Sequence, residues 1–314
     1  MQTSYQKHFP VMLPEVLENL APRDGEVYVD ATFGNGGYSE AVLQAADCKV
    51  IAIDRDPTVL PRVKELQAQY NGRFEFRQGC FGQITDLIQT PVNGFMFDIG
   101  VSSMQLDQAE RGFSFAKTAP LDMRMSCSGV SAADIVNNTA ERDLADLIYK
   151  YGEERKSRQI AAKIVAYRQK KAIETTTELA DIIYSVIHKT PNAIDPATRT
   201  FQALRIAVNH ELDELENGLK SAVNLLQPQG RIVVVSFHSL EDRIVKNFFR
   251  EQSGNNAHVS RYLPQNTVNQ NIALTNVSKA ITPSEQELAI NPRSRSAKLR
   301  SAVKTDNEPE RNAL

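Results

Sequence analysis

The stretch Val27-Tyr-Val-Asp-Ala-Thr-Phe-Gly-Asn-Gly-Gly-Tyr38 decides the fold of this chain. A short run rich in β-branched residues ends at Asp30, a glycine-rich turn follows, and Ser39–Ala46 has the pattern of a helix. The next apolar run, Val50–Asp54, also ends in a carboxylate. A strand, a glycine turn and a helix, with an acid ending the second strand, are typical of α/β domains that bind nucleotide-like cofactors.

The spacing of the glycines narrows the class of cofactor. A dinucleotide fingerprint, G-x-G-x-x-G, needs a third glycine where the helix packs on the strand, but the turn Gly34–Gly37 is followed by Tyr38 and Ser39. Asp30 precedes the turn, where its charge would repel a pyrophosphate and attract an ammonium group. S-adenosylmethionine has an ammonium group, a ribose diol and no phosphate, so we favour it over a dinucleotide. A purely structural glycine turn is the alternative.

Composition and charge describe a soluble globular chain of 314 residues, 41% hydrophobic and 24% charged, without tryptophan. The formal net charge of −2 gives no overall basic field, although a local patch suffices for binding nucleic acid. The three cysteines occur singly, outside zinc or disulfide spacing, and we expect no metal. The opening residues lack a signal peptide's apolar core and no apolar run is of bilayer length, which predicts a cytoplasmic protein without membrane contact.

The first hundred residues alternate between helix and strand patterns, as α/β units do. A helix is predicted at Pro14–Leu20. Each predicted strand is short, apolar and followed by a polar residue, at the end where open parallel sheets bind ligands. These strands are Val27–Asp30, Val50–Asp54, Phe74–Gln78 and Gly94–Asp98.

The middle of the chain changes to helical patterning. Residues 131–189 have a helical period and no convincing strand. One long helix is predicted after Pro196, because apolar residues recur at three- and four-residue steps from Phe201 to Leu226, until Gln227–Gly230 stops them. We therefore predict an all-helical domain, residues 109–203, inserted into a discontinuous α/β domain formed by residues 1–108 and 204–314.

The C-terminal part returns to the α/β pattern. Arg231–Ser236 is typical of a central strand, and Ser296–Val303 is predicted to be a final edge strand. Between them, Phe248–Ile281 is polar and irregular, which predicts a mobile loop. The last ten residues are expected to be disordered.

The segment Asp98-Ile-Gly-Val-Ser-Ser-Met-Gln105 follows the fourth predicted strand, beside the cofactor position of doubly wound sheets. Enzymes that methylate amino groups place a polar acceptor and a stacking aromatic ring here, usually with two prolines between them. This chain has no such prolines, so Ser102 or Ser103 is the candidate acceptor and Phe113 or Phe115 the candidate stacking ring. A loop serine that caps the next helix is an equally supported alternative.

Four further segments carry candidate substrate contacts. The loop formed by Arg111–Phe115 and Pro120–Met125 mixes arginines with phenylalanines, which suits binding phosphates and stacking on bases. Its predicted RNA contacts are Arg111, Phe113 and Arg124. The alternative is an arginine–aspartate ion pair, through Asp122, that holds the loop together.

In Ser236–Arg243, Ser239 is predicted to cap a helix and His238 to accept a proton or contact substrate, with a purely structural cap as the alternative. Arg199, Arg293 and Arg295 lie amid small polar residues and are predicted phosphate contacts.

Taken together, these segments closely resemble the bacterial 16S ribosomal RNA cytosine-N4 methyltransferases, the RsmH (MraW) family. The matching motifs run nearly from end to end of the chain, in family order. They are His8-Phe-Pro-Val-Met-Leu13, Asp30-Ala-Thr-Phe-Gly-Asn-Gly-Gly37, Ala52-Ile-Asp-Arg-Asp-Pro57, Asp98-Ile-Gly-Val-Ser-Ser103, Glu110-Arg-Gly-Phe-Ser-Phe115, Pro120-Leu-Asp-Met-Arg-Met125, Tyr151-Gly-Glu-Glu-Arg155, Pro196-Ala-Thr-Arg-Thr-Phe-Gln-Ala-Leu-Arg205, Ser236-Phe-His-Ser-Leu-Glu-Asp-Arg243 and Asn291-Pro-Arg-Ser-Arg-Ser296.

The resemblance implies a class I (Rossmann-like) S-adenosylmethionine-dependent methyltransferase domain with a helical insertion for substrate recognition. It implies methylation of the N4 amine of a decoding-centre (P-site) cytosine in 16S rRNA within the 30S subunit, and it leaves a homodimer open. The family usually has histidine where this chain has Tyr38, a change that preserves a backbone contact but not one made by an imidazole. By motif position, the implied cofactor contacts are Gly36, Gly37, Tyr38, Asp54, Phe81, Asp98 and Gln105.

The implied reaction is direct in-line displacement on the sulfonium methyl group, in which alignment matters more than strong acid–base help. An oxygen acceptor would hold one hydrogen of the cytosine amine. The candidate catalytic groups are Asp98, Ser102 and Ser103, with His238 and Asp122 as weaker ones. Two rival functions stay open: an NAD-dependent oxidoreductase, disfavoured by the missing third glycine, and a catalytically silent ribosome-assembly factor.

Overall fold

The structure is a computed structural model that describes residues 10–191, 193–255 and 272–306. The chain divides into two compact units. We call them the sheet unit, Met1–Gly100 with Leu212–Leu314, and the helical unit, Val101–Glu211. The predicted domain boundaries, 108/109 and 203/204, lie inside the helical unit.

A seven-stranded sheet forms the centre of the sheet unit, with strand order β3-β2-β1-β4-β5-β7-β6. Strands β1 to β5 are parallel to one another, whereas β7 runs antiparallel to both β5 and β6. The strand order reverses between β1 and β4, and ligands of α/β proteins bind beyond the carboxyl ends of strands at such a point. The strands are β1 Val27–Asp30, β2 Lys49–Asp54, β3 Phe74–Gln78, β4 Val92–Asp98, β5 Leu226–Ser236, β6 Leu274–Thr275 and β7 Lys298–Lys304.

Thirteen α-helices lie in the described residues. Four precede the helical unit: α1 Leu13–Leu20, α2 Gly37–Ala45, α3 Leu60–Gln69 and α4 Ile84–Leu87. Six follow in the helical unit: α5 Ser103–Asp107, α6 Ala132–Asn138, α7 Glu141–Gly152, α8 Ser157–Arg168, α9 Thr176–Tyr184 and α10 Ala197–Asn209. The last three are α11 Glu211–Leu225, α12 Ser239–Gln252 and α13 Glu285–Ile290. No helix in the described ranges is long and apolar enough to cross a membrane.

Each unit has its own apolar core. In the sheet unit, Phe95 and Phe97 of β4 pack with Leu215 and Leu219 of α11, and all four are fully buried. Strand β4 is an almost continuous apolar run, as expected for a parallel strand covered on both faces. The core of the helical unit is made by the apolar stripes of α6 to α10, including Leu144, Ile148, Ile160, Ile164 and Leu204. Burying one such side chain contributes roughly 1.5–3 kcal/mol.

The first four strands and the helices between residues 131 and 189 confirm the sequence predictions. The prediction of one long helix from Phe201 to Leu226 is wrong, because the chain breaks it at His210. His210 adopts the left-handed conformation, with φ of 52°, and its N–H bonds the carbonyl of Ile206. Each of the two resulting helices keeps one buried face. The apolar period therefore continues through His210, and the break cannot be recognised from that period.

Three predictions in the C-terminal part are also corrected. Strand β5 begins at Leu226 instead of Arg231, and its pairing with β4 shifts register between Val92 and Gly94. The predicted loop from Phe248 overlaps α12 and contains strand β6, while residues 256–271 lie outside the described part of the chain. Strand β7 is not an edge strand, because β6 pairs with its outer side. The predicted disorder of the last ten residues falls mostly on 307–314, which are also outside it.

Candidate active site

The glycine turn after β1 needs glycine for two physical reasons. Gly36 has a φ of 73°, a left-handed conformation that other residues adopt at a cost. A Cβ atom on Gly36 would also lie 2.7 Å from the ring of Phe33 and 2.9 Å from Leu66. Gly36 is the N-cap of α2. In the described part of the chain, the N–H groups of Gly37 and Tyr38 donate to no acceptor, so the start of α2 offers two donors to an anionic group.

Asp30 at the end of β1 is held by the turn that follows it. Its Oδ2 accepts a hydrogen bond from the hydroxyl of Ser39 at 2.7 Å, and its Oδ1 accepts from the N–H of Thr32 at 3.2 Å. Asp30 and Ser39 are fully buried, and burial raises the pKa of Asp30 to about 6. Ser39 occupies the place of the absent third glycine. Its hydroxyl donates the hydrogen bond that holds the carboxylate of Asp30.

Asp54 ends the neighbouring strand β2 and is fixed by two backbone donors. The N–H of Gly34 donates to its Oδ2 at 2.7 Å and the N–H of Asp56 donates to its Oδ1 at 2.9 Å. Burial raises the pKa of Asp54, and the two N–H groups oppose that rise by favouring the charged form. Each carboxylate oxygen keeps acceptor capacity after one bond, so Asp54 is oriented and can still bind a diol.

Asp98 at the end of β4 is the least satisfied of the three carboxyls. Its backbone N–H donates to the hydroxyl of Thr32 at 2.6 Å, but its buried Oδ1 has no hydrogen-bond partner in the described part of the chain. Burial, together with the neighbouring carboxylates of Asp30, Glu241 and Glu287, raises the pKa of Asp98 to about 8. Among the described residues, the charges that shift the pKa of Asp98 are negative. An unpaired acceptor in such surroundings suits a ligand that carries positive charge or N–H donors.

Two other predicted cofactor contacts belong to the sheet unit. Phe81 is partly buried on the 3₁₀ turn after β3, and its ring packs edge-on against Phe97 with centroids 5.8 Å apart. The side chain of Tyr38 is almost completely buried, and its hydroxyl donates to the carbonyl of Val11. Because the phenol is engaged there, the backbone N–H is the part of Tyr38 that stays available to a ligand.

At the start of the helical unit, the structure has the capping arrangement that was the alternative reading of the serines. Ser102 is the N-cap of α5: the N–H of Gln105 donates to its hydroxyl at 3.2 Å, and the side chain of Gln105 accepts from the N–H of Ser102 at 3.0 Å. Ser103 is the first residue of that helix. The catalytic roles of Ser102 and Ser103 and the cofactor contact of Gln105 stay predictions.

The arginines of the loop between α5 and α6 bond within the loop. Arg111 is 8% exposed and donates to the carbonyls of Arg124 and Met125, each at 3.0 Å. Arg124 forms an ion pair with Asp122, with distances of 2.5 to 3.1 Å, and this is the stapling pair named as the alternative. Phe113 is buried in the core of the unit. These contacts give the loop a defined shape, and its RNA contacts stay predictions.

The predicted cap of α12 is wrong, since the N-cap is His238 and not Ser239. The Nδ1 of His238 accepts from the N–H of Glu241 at 3.4 Å, and its Nε2 lies 2.9 Å from Oε1 of Glu241. Glu241 is fully buried and also accepts from the N–H of Phe237 at 2.8 Å. The cap thus uses Nδ1, which fits the structural alternative, whereas the buried Nε2 has no hydrogen-bond partner in the described part of the chain. A catalytic role of His238 stays a prediction.

The predicted phosphate contacts are exposed in both units. In the helical unit, the side chain of Arg199 is 51% exposed and lies 3.8 Å from the carboxylate of Glu154. In the sheet unit, Arg293 and Arg295 are exposed on the 3₁₀ turn Pro292–Ser296.

Sequence reasoning missed Thr32 and Glu287. Thr32 lies inside the glycine turn and bonds both Asp30 and Asp98. Its hydroxyl between two acidic strand ends was a signal that the sequence offered. Glu287 bonds the N–H of Met12 at 2.8 Å across 275 residues, a pairing that no local pattern indicates.

The sequence profile of the MraW methylase family matches residues 5–305. The chain belongs to the MraW methylase family. It is 54% identical over 309 residues to the "Ribosomal RNA small subunit methyltransferase H" of Paramagnetospirillum magneticum, covering 96% of this chain and 97% of that protein. The protein of the same name from Rhodospirillum rubrum is 52% identical over 308 residues, covering 95% and 94%. Family membership confirms the resemblance and the predicted cofactor, S-adenosylmethionine.

Among solved structures, the chain is similar to an rRNA methylase from Streptococcus thermophilus, with 11% identity, 93% of each chain covered and a TM-score of 0.40. It is likewise similar to a SAM-dependent O-methyltransferase from Thermotoga maritima, with 8% identity, 95% of this chain and 66% of that chain covered, and a TM-score of 0.42.

Proposed function

We propose that this MraW methylase transfers the methyl group of S-adenosylmethionine to the N4 amine of a decoding-centre cytosine in 16S rRNA. The names of the Paramagnetospirillum and Rhodospirillum relatives support a small-subunit rRNA substrate. The observation that carries the chemistry is Asp98, whose buried Oδ1 at the carboxyl end of β4 has no hydrogen-bond partner among the described residues. An amine that must be held through one of its hydrogens needs an oxygen acceptor of this kind.

The residues at the carboxyl ends of β1, β2 and β4 fit the chemical groups of the cofactor. The carboxylate of Asp54, already oriented by the N–H of Gly34, would accept hydrogen bonds from the ribose hydroxyls. The N–H groups of Gly37 and Tyr38 would bind the methionine carboxylate. Asp30 and Asp98 give the site its negative charge, which suits an ammonium and a sulfonium group. Gly36 keeps the turn open, and Phe81 after β3 is proposed to contact the adenine.

The contacts favour Asp98 over the other candidates for holding the amine. The hydroxyl of Ser102 is used by the cap of α5, and the Nδ1 of His238 is used by the cap of α12. The Nε2 of His238 also lacks a hydrogen-bond partner among the described residues, but it lies 2.9 Å from Oε1 of Glu241. S-adenosylmethionine supplies a methyl group bonded to a sulfonium leaving group. As the bond from the methyl carbon to N4 forms, the carbon–sulfur bond breaks with its electron pair going to sulfur. The amine then loses one proton, and we propose that the carboxylate of Asp98 accepts it.

The substrate side of the proposal rests on exposed arginines. Arg199, Arg293 and Arg295 are proposed to contact phosphates. Arg111 and Phe113 are proposed to shape the loop that carries Arg124. Recognition within the 30S subunit, a homodimer and a cytoplasmic location belong to the same proposal, as does the assignment of substrate recognition to the helical unit.

Mapping the modified nucleotide tests the proposed function directly. The protein is incubated with labelled S-adenosylmethionine and either 30S subunits or naked 16S rRNA, both from a strain that lacks this methylation. We expect label on the N4 amine of one decoding-centre cytosine. Incorporation at a uridine or a ring carbon would exclude the cytosine-amine proposal. Binding of the cofactor without incorporation into either substrate would favour the assembly-factor alternative.

A further inference from the structure

Three contacts hold the turn Pro10–Met12 in place, two with the start of α2 and one with Glu287 of α13. The hydroxyl of Tyr38 donates to the carbonyl of Val11, and the carboxylate of Glu287 accepts from the N–H of Met12 at 2.8 Å. The ring of Pro10 covers Gly37 so closely that any Cβ atom there would collide with it. The turn therefore packs against Gly37, one of the two residues whose N–H groups are proposed to bind the cofactor.

The conformation of this turn needs those contacts. Met12 is fully buried and left-handed, with a φ of 53°, and it caps α1 without a side-chain hydrogen bond. A non-glycine residue holds such a conformation only where its surroundings impose it. Glu287 lies on the short helix α13, most of whose other residues are exposed. Its bond to Met12 thus ties α13 to the turn.

Tyr38 connects the turn to the cofactor site. Its side chain anchors Val11, and its backbone N–H belongs to the donor pair at the start of α2. We propose that Tyr38 and Glu287 are positioning residues, which fix the turn Pro10–Met12 over Gly37 and thereby set the affinity for S-adenosylmethionine. This inference rests on the cofactor site proposed above. It also gives a task to the phenol that stands where the family usually has histidine.

Calorimetry with S-adenosylmethionine alone tests the inference, using Tyr38→Phe, Glu287→Ala, Glu287→Gln and the double variant Tyr38→Phe/Glu287→Ala. One hydrogen bond corresponds to a roughly 3- to 10-fold change in affinity. We expect each of the first two variants to raise the Kd for S-adenosylmethionine by about that factor. Glu287→Gln should bind almost normally, since its amide oxygen still accepts from Met12. The double variant should bind no worse than the weaker single variant, because the turn is already released.

Tyr28→Phe is the matched control, because Tyr28 is another buried tyrosine of the same unit, and its hydroxyl donates to Glu26 away from the turn. If Glu287→Gln bound S-adenosylmethionine as weakly as Glu287→Ala, the charge of Glu287 and not its position would matter, and the inference would be overturned. An equal loss of affinity in Tyr28→Phe, or no loss of affinity in any variant, would also overturn it. If Tyr38→Phe does not fold, the Glu287 pair decides alone. Failure of the unaltered protein to bind the cofactor would instead overturn the cofactor site itself.

Discussion

At the scale of single residues, Asp98 differs from Asp30 and Asp54 because its Oδ1 has no described partner. Asp98→Asn keeps an oxygen acceptor for the amine but cannot take its proton, so we expect kcat to fall about 10-fold. Asp98→Ala removes the acceptor, and we expect a fall of about 100-fold or more, within the range of general acid–base and alignment effects. Ser102→Ala is the control and should change kcat little. The reverse ranking in a methyl-transfer assay would move the acceptor role to Ser102.

The raised pKa values of Asp30 and Asp98 also predict how cofactor binding depends on pH. At pH 7, a carboxyl with a pKa of about 8 is mostly protonated, whereas one with a pKa of about 6 is mostly ionised. A cationic ligand favours the ionised form, so its binding should expel a proton, mainly from Asp98. Calorimetry in buffers of different ionisation enthalpy should measure close to one proton released, and affinity should rise from pH 5 toward pH 8. If Asp98→Asn released as many protons on cofactor binding as the unaltered protein, Asp98 could not be the group that loses the proton.

In the cofactor-free protein, the same two carboxyls make the folded state less stable as pH rises, whereas cofactor affinity increases with pH. A carboxyl whose pKa is raised by folding stabilises the protein fully below its unfolded value, near 4, and this stability is lost as pH rises through the folded values of about 6 and 8. The cofactor-free protein should therefore lose thermal stability between pH 5 and 8, and saturating cofactor should reduce that loss. Thermal unfolding with and without cofactor measures both effects. A loss of stability that cofactor does not reduce would argue against binding at these carboxyls.

At the scale of elements, the turn between β1 and α2 combines backbone strain with close packing, and two glycines separate these effects. Gly36→Ala would meet both a left-handed backbone and the ring of Phe33, whereas Gly72→Ala would meet a similar φ of 76° with nothing within 4 Å. The strain alone costs about 1–2 kcal/mol. We expect both variants to lower the melting temperature, and only Gly36→Ala to weaken cofactor binding, by more than 10-fold. Equal effects on affinity would show that the turn tolerates a side chain.

Elements that carry their signal locally were predictable, and those that depend on distant partners were not. The run Val50–Asp54 is apolar and ends in an acid, so strand β2 and its carboxylate could be located from sequence. The break at His210 could not, because two helices that bury one face continue the same period. The position of β7 inside the sheet depends on pairing with Leu274–Thr275, beyond a segment of irregular sequence. Histidine is not a typical N-cap residue and serine is, so the sequence favours Ser239 over the observed cap, His238.

At the scale of the whole molecule, the chain has a formal net charge of −2, so RNA binding must come from local groups. We expect binding of 16S rRNA to weaken steeply with salt, because each phosphate contact releases counterions. Arg295→Ala should reduce the slope of log K against log salt by about 0.7, the value for one phosphate contact on a single strand.

Lys171 is the matched control, since its ammonium already pairs with Glu178 at 2.5 Å. Lys171→Ala should leave the slope unchanged, and neither variant should alter the Kd of S-adenosylmethionine. Equal slopes in Arg295→Ala and the unaltered protein would remove Arg295 from the RNA interface, because an exposed arginine that neutralises no phosphate cannot contribute to counterion release.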